Sequence, residues 1–232
     1  MDASTRQNLL VQLYDLLNSL ERRTLDECSG RLSWPNRGVY FFFDPSQSRQ
    51  DTGIGQRVVR VGTHALTSGS KTTLWKRLSQ HKGTAKSGGG NHRGSIFRLL
   101  VGDALIRSQS IECPTWGIGN VASKGVRSTE GDVEREVSKY IGELPFVYVS
   151  IPDDPTPSSV RGVIERNSIA LLSNSVKEPL DRLGKQWLGY ESSRERVRQS
   201  ELWNQNHVNE QSDPLFLAVL TECIESQRKC GL

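Results

Sequence analysis

Gly38-Val39-Tyr40-Phe41-Phe42-Phe43 is the stretch on which the fold turns. It is a short run of β-branched and aromatic residues, stopped by Asp44-Pro45, and it reads as a β-strand. A polar segment with Gly53 and Gly55 separates it from Arg57-Val58-Val59-Arg60-Val61-Gly62, a second strand-like run, so the pair predicts a hairpin with a long loop. Pro145-Phe146-Val147-Tyr148-Val149-Ser150-Ile151 predicts a third strand. Helical signals surround the three. Leu9, Leu10, Leu13, Leu16, Leu17 and Leu20 recur at helical spacing over 4–22. Thr72 or Thr73 is placed to cap a helix running through Leu74 to His81, and Ile96, Leu99, Leu100 and Leu105 mark another over 95–107. Further helices are expected over 129–141, capped by Ser128 or Thr129, over 160–172 with Val163, Ile164, Ile169 and Leu172 on its apolar side, and over 214–227. Residues 83–95 read as a basic loop and 113–128 as irregular chain. The expected fold is α/β (α+β): a single domain over 1–232, with a small three-stranded, mainly antiparallel sheet flanked by helices.

The chain of 232 residues is long enough for one sizeable core, and 35% hydrophobic with 24% charged residues is ordinary for a globular protein. No apolar stretch is long enough to span a bilayer, and acidic Asp2 and the interrupted apolar residues that follow do not form a signal peptide, so the protein is expected to be cytoplasmic, with no membrane partner. Cys28, Cys113, Cys223 and Cys230 are scattered without a CxxC pair, which argues against a zinc site or a disulfide framework. The net charge of +4 permits nucleic-acid binding without establishing it. Its distribution is more specific. Lys71, Lys76, Arg77, Lys82, Lys86, Arg93 and Arg98 fall in one block that holds no Asp or Glu. Such a block suits a phosphate backbone, and it equally suits a solvated basic face.

Chemistry-bearing residues stand at the ends of the predicted elements. Hydrolysis of a phosphodiester needs an activated water, positive charge on the phosphorane and help for the leaving oxygen. Tyr40, Arg77 with His81 four residues on, and Glu165 supply the types required. Their order resembles the GIY-YIG nuclease superfamily. Gly38-Val39-Tyr40 stands at the family's Gly-Ile-Tyr strand and Val61-Gly62 at the end of its Tyr-Ile-Gly. Arg77 and His81 match the arginine and the histidine or tyrosine of the next helix, and Glu165 matches the metal-binding glutamate. Asn174 stands for the asparagine that follows it, with Asn167 as competitor.

The resemblance implies that Tyr40 orients or deprotonates water, Arg77 stabilises phosphate charge, His81 assists proton transfer, Glu165 holds one Mg²⁺ or Mn²⁺, and Asn174 supports the site. Lys71, Lys76, Lys82, Lys86 and Arg93 would bind nucleic acid, with DNA the expected partner. The chain departs from the pattern at Arg60, in the slot of the first tyrosine of Tyr-Ile-Gly. A guanidinium donates but never accepts, which leaves phosphate contact for Arg60, or takeover of the phenol's role by His64. A core over 36–82 and 145–175 is expected, with an insertion at 83–144 and a C-terminal extension at 176–232.

Three functions remain open at this level. One is a metal-dependent endonuclease on DNA, restriction-like or defence-related, for which a homodimer would cut both strands. The second is a catalytically inactive nucleic-acid-binding protein of the same fold. The third is a protein-interaction role. His92 and His207 read as polar structural residues, and Trp187 and Trp203 as core anchors.

Overall fold

The computed structural model describes residues 1–84 and 88–230. In chain order its elements are α1 (Ala3–Asn18), β1 (Arg23–Thr24), β2 (Gly38–Ser48), β3 (Gln56–Gly62), α2 (Leu74–Lys82), α3 (Ile96–Ser108), α4 (Lys124–Thr129), α5 (Gly131–Glu143), β4 (Pro145–Ser150), α6 (Val160–Leu172), α7 (Glu195–Ser200) and α8 (Phe216–Lys229). The sheet has four strands in the order β1-β4-β2-β3, all antiparallel, where three were expected. The added strand, β1, pairs only Arg23 with Phe146 and Thr24 with Pro145, too short a segment for any hydrophobic period to reveal.

β2 is central, and both of its faces are covered by helices, which is why its sequence is a continuous apolar run rather than an alternating one. Val39, Phe41 and Phe43 pack with Leu13 and Leu17 of α1 and with buried residues of α6 and α8. Tyr40 and Phe42 face the opposite core, with Leu78 of α2, Phe97 and Leu100 of α3, and Val137 of α5. The result is a three-layer sandwich of helices, sheet and helices.

β2 does not stop at Asp44-Pro45 but runs on to Ser48. Pro45 has no N–H to offer a ladder, and it falls inside a register break between Asp44 and Ser48 where none is needed. The Asp44 carboxylate closes that break by accepting from the Ser46 amide. A second break sets Phe42 opposite Arg60 and Phe43 opposite Val58, which leaves Val59 as a bulge. The bulge turns Arg60 towards Phe97, on the Tyr40 side of the sheet.

Free strand edges invite unwanted pairing. The β3 edge is closed by the chain itself: the Trp203 amide donates to the Val59 carbonyl at 2.7 Å, and the Asn204 side chain accepts from the Val61 amide at 3.2 Å while donating to its carbonyl at 2.9 Å. Helix starts follow their caps. Thr73 caps α2, Ser95 caps α3 and Ser159 caps α6. Ser128 and Thr129 do not cap α5 as expected, because they end α4, and α5 starts from Glu130 without a side-chain cap. Val163 of α6 is exposed, although expected on the apolar side. The cysteines are unpaired. Among the described residues no helix is long and apolar enough to cross a membrane.

Candidate active site

Two glycines let the site assemble around Tyr40. A Cβ on Gly38 would stand 2.5 Å from the Val149 carbonyl oxygen, and one on Gly62 would stand 2.4 Å from the Tyr40 hydroxyl, so only glycine fits beneath the neighbouring strand and the phenol ring. Tyr40 is fully buried, with its Oη 2.8 Å from Nε2 of His81 at the end of α2. His81 Nδ1 lies 2.7 Å from Oγ of Ser95, the residue that caps α3. Burial pushes the His81 imidazole well below its usual range, and the Arg77, Arg60 and Arg98 guanidinium groups push it the same way. His81 is therefore neutral at physiological pH.

Arg60 stands between this buried chain and a cleft of about 370 Å³. Its guanidinium carbon is 5.5 Å from the centre of the Phe97 ring, and Nη1 donates to the Trp203 carbonyl. Burial lowers its pKa, opposed by the nearby Tyr40 hydroxyl and the Glu165 carboxylate. Glu165 reaches the same cleft from α6, with Asn204 and His207 on the facing wall. Its Oε1 accepts from the Thr63 amide at 3.0 Å, and Thr63 is pinned in turn by a 2.8 Å bond from its hydroxyl to the Gly38 carbonyl. Burial pushes the Glu165 carboxyl up, against the pull of Arg60, the Thr63 amide, His207 and Arg77. Arg77 is half-buried and spends Nη1 on the Gln80 side chain and the Gly94 carbonyl, each at 3.2 Å. The Nε atoms of Arg60 and Arg77 are buried and have no hydrogen-bond partner. Unpaired buried donors are costly, and both arginines stand near the Glu165 carboxylate, Arg60 from the lining of the cleft.

Among the described residues no group of three or more His, Cys, Asp or Glu side chains is arranged so that it could hold a metal ion. A site with a single carboxylate does not suit zinc, which takes three or four protein ligands, but it suits a hard cation that keeps most of its water, such as Mg²⁺. Glu165 fits that role: it is held by one amide and its charge is raised in energy by burial, a cost that a cation would relieve.

The other expected residues lie elsewhere. Asn174 follows α6, where its Oδ1 accepts from Arg6 and the Leu180 amide and its Nδ2 donates to Leu180 and Glu201, a knot outside the cleft. Asn167 ties the Val163 carbonyl to the Asp213 amide. His64 is buried against the Asn36 carbonyl, and burial lowers its pKa to about 4. Lys71 and Lys76 project into solvent, whereas the Lys82 ammonium is held by the Cys28 carbonyl at 2.9 Å. Arg93 is clamped by both Glu130 oxygens, at 2.6 and 2.8 Å. Lys86 lies outside the described residues. Ser95, Thr63 and Asn204 belong to the site without having been anticipated. Ser95 carried one usable signal, its position as a helix cap, whereas Asn204 carried none.

Comparison with curated proteins and with solved structures returns no match. Comparison with known families returns the GIY-YIG domain over residues 4–230, nearly the whole length, including the Gly38-Val39-Tyr40 strand, Arg77 and Glu165. The chain therefore belongs to the GIY-YIG nuclease superfamily, which points to a nuclease-type activity on nucleic acid.

Proposed function

We propose that this protein is a metal-dependent endonuclease that hydrolyses phosphodiester bonds in DNA. The observation that carries the proposal is the pair of unpartnered guanidinium Nε atoms, on Arg60 and Arg77, near Glu165, with Arg60 and Glu165 lining one cleft. A phosphate supplies the acceptors that both arginines lack, and their charge is worth most where it develops in the transition state. Glu165 would hold one Mg²⁺ or Mn²⁺, with the Thr63 amide fixing its carboxylate. Bound there, the cation would supply Lewis-acid charge to the phosphate and its leaving oxygen. Tyr40 sits behind Arg60, so its hydroxyl meets an attacking water once Arg60 has moved onto the phosphate. His81 holds that hydroxyl in place. Asn174 supports α6 from its far end through Arg6 and Glu201. Lys71 and Lys76 supply backbone affinity.

The test is incubation of supercoiled plasmid and single-stranded DNA with Mg²⁺ or Mn²⁺, with Glu165→Ala as control. Cation-dependent cleavage that the variant lacks is expected. No cleavage by the wild type, or full cleavage by the variant, overturns the proposal.

One observation favours a second function, DNA binding without turnover: a fully buried Tyr40 covered by an arginine where the family has a second tyrosine. It predicts salt-dependent binding with no product under any divalent cation, and Arg60→Tyr would then be the variant that gains cleavage.

A further inference from the structure

We propose that His207 is a second protein ligand of the cation that Glu165 would hold, binding through Nε2 while Glu210 fixes the other edge of the ring. The proposal rests on the reading of the cleft as a cation-dependent nuclease site. It makes that site a mixed one, of carboxylate oxygen and imidazole nitrogen.

His207 lies in the segment that closes the edge of β3. The segment is held at three points: Asn204 bonds to both backbone groups of Val61, Val208 is buried in the core, and the Glu210 amide donates to the His207 carbonyl at 3.2 Å. Between them His207 takes a φ of 65°. Residues other than glycine seldom occupy that left-handed region, and where they do the surrounding structure has to enforce it. The result is an imidazole in the lining of the cleft that Arg60 and Glu165 also line.

The two ring nitrogens are not equivalent. Nδ1 lies 2.8 Å from Oε1 of Glu210, and the other Glu210 oxygen accepts from Nε of Arg166. Burial would raise the Glu210 carboxyl, but the bonds from His207 and Arg166 outweigh it and hold the group below its usual range, so Glu210 is a carboxylate. A carboxylate only accepts, so Nδ1 carries the proton of that bond. A neutral imidazole has one N–H, which leaves Nε2 with a bare lone pair. No described residue bonds to Nε2, and the side chain is 31% exposed.

A bare nitrogen has nothing to gain from a phosphate oxygen, which offers no proton. A metal cation suits it, and a carboxylate behind the ring is the arrangement that orients ligating imidazoles and raises their basicity. Glu165 is close enough to feel the ring: burial raises its carboxyl, and His207 is among the groups that oppose the rise. The two residues are also tied through the backbone. Arg166, which holds Glu210, follows Glu165 directly in α6. One turn of helix thus presents the first ligand and steadies the second through Arg166 and Glu210. Arg60 shares the cleft, and a phosphate between its guanidinium and the cation would separate the two positive charges. Imidazole suits transition metals better than Mg²⁺, so the site should favour Mn²⁺.

The experiment loads the metal-free protein with Mn²⁺ without DNA. Binding is read from the EPR signal of the free ion. Imidazole ligation is read from nitrogen modulation of the pulsed EPR echo, assigned with ¹⁵N-histidine protein. The wild type should bind Mn²⁺ with imidazole modulation, and Glu165→Gln should lose the bound ion. His207→Asn should abolish the modulation and weaken Mn²⁺ on the order of tenfold or more, with Mg²⁺ affinity, read by competition, changing less. Asparagine tolerates the left-handed backbone, so the melting temperature of that variant should stay in place. Glu210→Gln should weaken Mn²⁺ on the order of tenfold and keep the modulation. Bound Mn²⁺ without imidazole modulation, modulation that survives His207→Asn, or no Mn²⁺ binding by the wild type overturns the proposal. Mn²⁺ held by Glu165 without the imidazole sinks this proposal and leaves the nuclease reading standing. Imidazole modulation in a protein that cleaves no DNA sinks the nuclease reading alone.

Discussion

The two halves of the site are built on opposite terms. Tyr40, His81 and Ser95 are fully enclosed and bonded to one another. Arg60 and Glu165, which line the cleft, and neighbouring Arg77 keep two guanidinium N–H groups unpaired and a carboxylate whose charge burial disfavours. Folding completes the first half. It leaves the second half short of partners, which under the proposed function would be an anion for the arginines and a cation for the glutamate. The closed half should thus govern stability and geometry, and the open half should govern turnover at little cost to stability.

Glu165→Gln tests the open half and should have the largest effect. Cleavage should fall by about 10³-fold, the scale of losing a principal electrostatic element, with thermal stability unchanged or slightly raised because a buried charge is gone. A matching loss of stability would show that Glu165 is a fold residue. Gly62→Ala breaks the closed half. Its Cβ would collide with the Tyr40 hydroxyl, costing about 2 kcal/mol in a denaturant titration and displacing Tyr40 from His81. Arg93→Ala asks whether an arginine of the basic block serves the fold. It should cost about 1–3 kcal/mol by leaving Glu130 unpaired, with DNA affinity per folded molecule unchanged.

Stability should also depend on pH. His64 has a folded pKa of about 4, below the ordinary imidazole value, so the unfolded chain binds more protons than the folded one as pH falls from about 6.5 to about 4, and the lowered His81 acts in the same direction. The stability contributed by His64 is present above that window and lost within it. The raised Glu165 carboxyl opposes the trend in part, since its folded form takes up a proton first. A urea midpoint that rises on acidification would contradict this balance. The smallest effects belong to the exposed lysines: Lys71→Ala and Lys76→Ala should each flatten the salt dependence of DNA binding by about one unit of slope, leaving the melting temperature in place.

Most of the fold was legible because the strongest local signals were obeyed. Gly38 to Phe43 is the central strand, and the helix expected over 160–172 has those limits. What failed was decided across the sheet. β1 exists because β4 offers an edge, and β2 outruns Pro45 because a register break excuses the missing N–H. In the candidate site, Tyr40, Arg60, Arg77, His81 and Glu165 were chosen from residue type and order, and the structure brings the five near one another. Ser95 and Asn204 were not found, since a serine cap and an asparagine beside a tryptophan look alike wherever they occur. Two arginines of the basic block are paired for a reason the block could not show: acids absent from it arrive from the neighbourhood of α5, where Glu130 takes Arg93 and Glu134 takes Arg98. Charge counted along a chain is not charge left free in space.

The stitching of Trp203 and Asn204 onto β3 has a temporal consequence. The carbonyl that anchors Arg60 lies 143 residues beyond it in the chain. A ribosome delivers Tyr40, Arg60, His81 and even Glu165 well before that anchor, so the nascent polypeptide carries the reactive groups without the wall that aligns them. The alignment of Arg60 is therefore a late event in synthesis, reached only when the segment around Trp203 has emerged and closed the sheet.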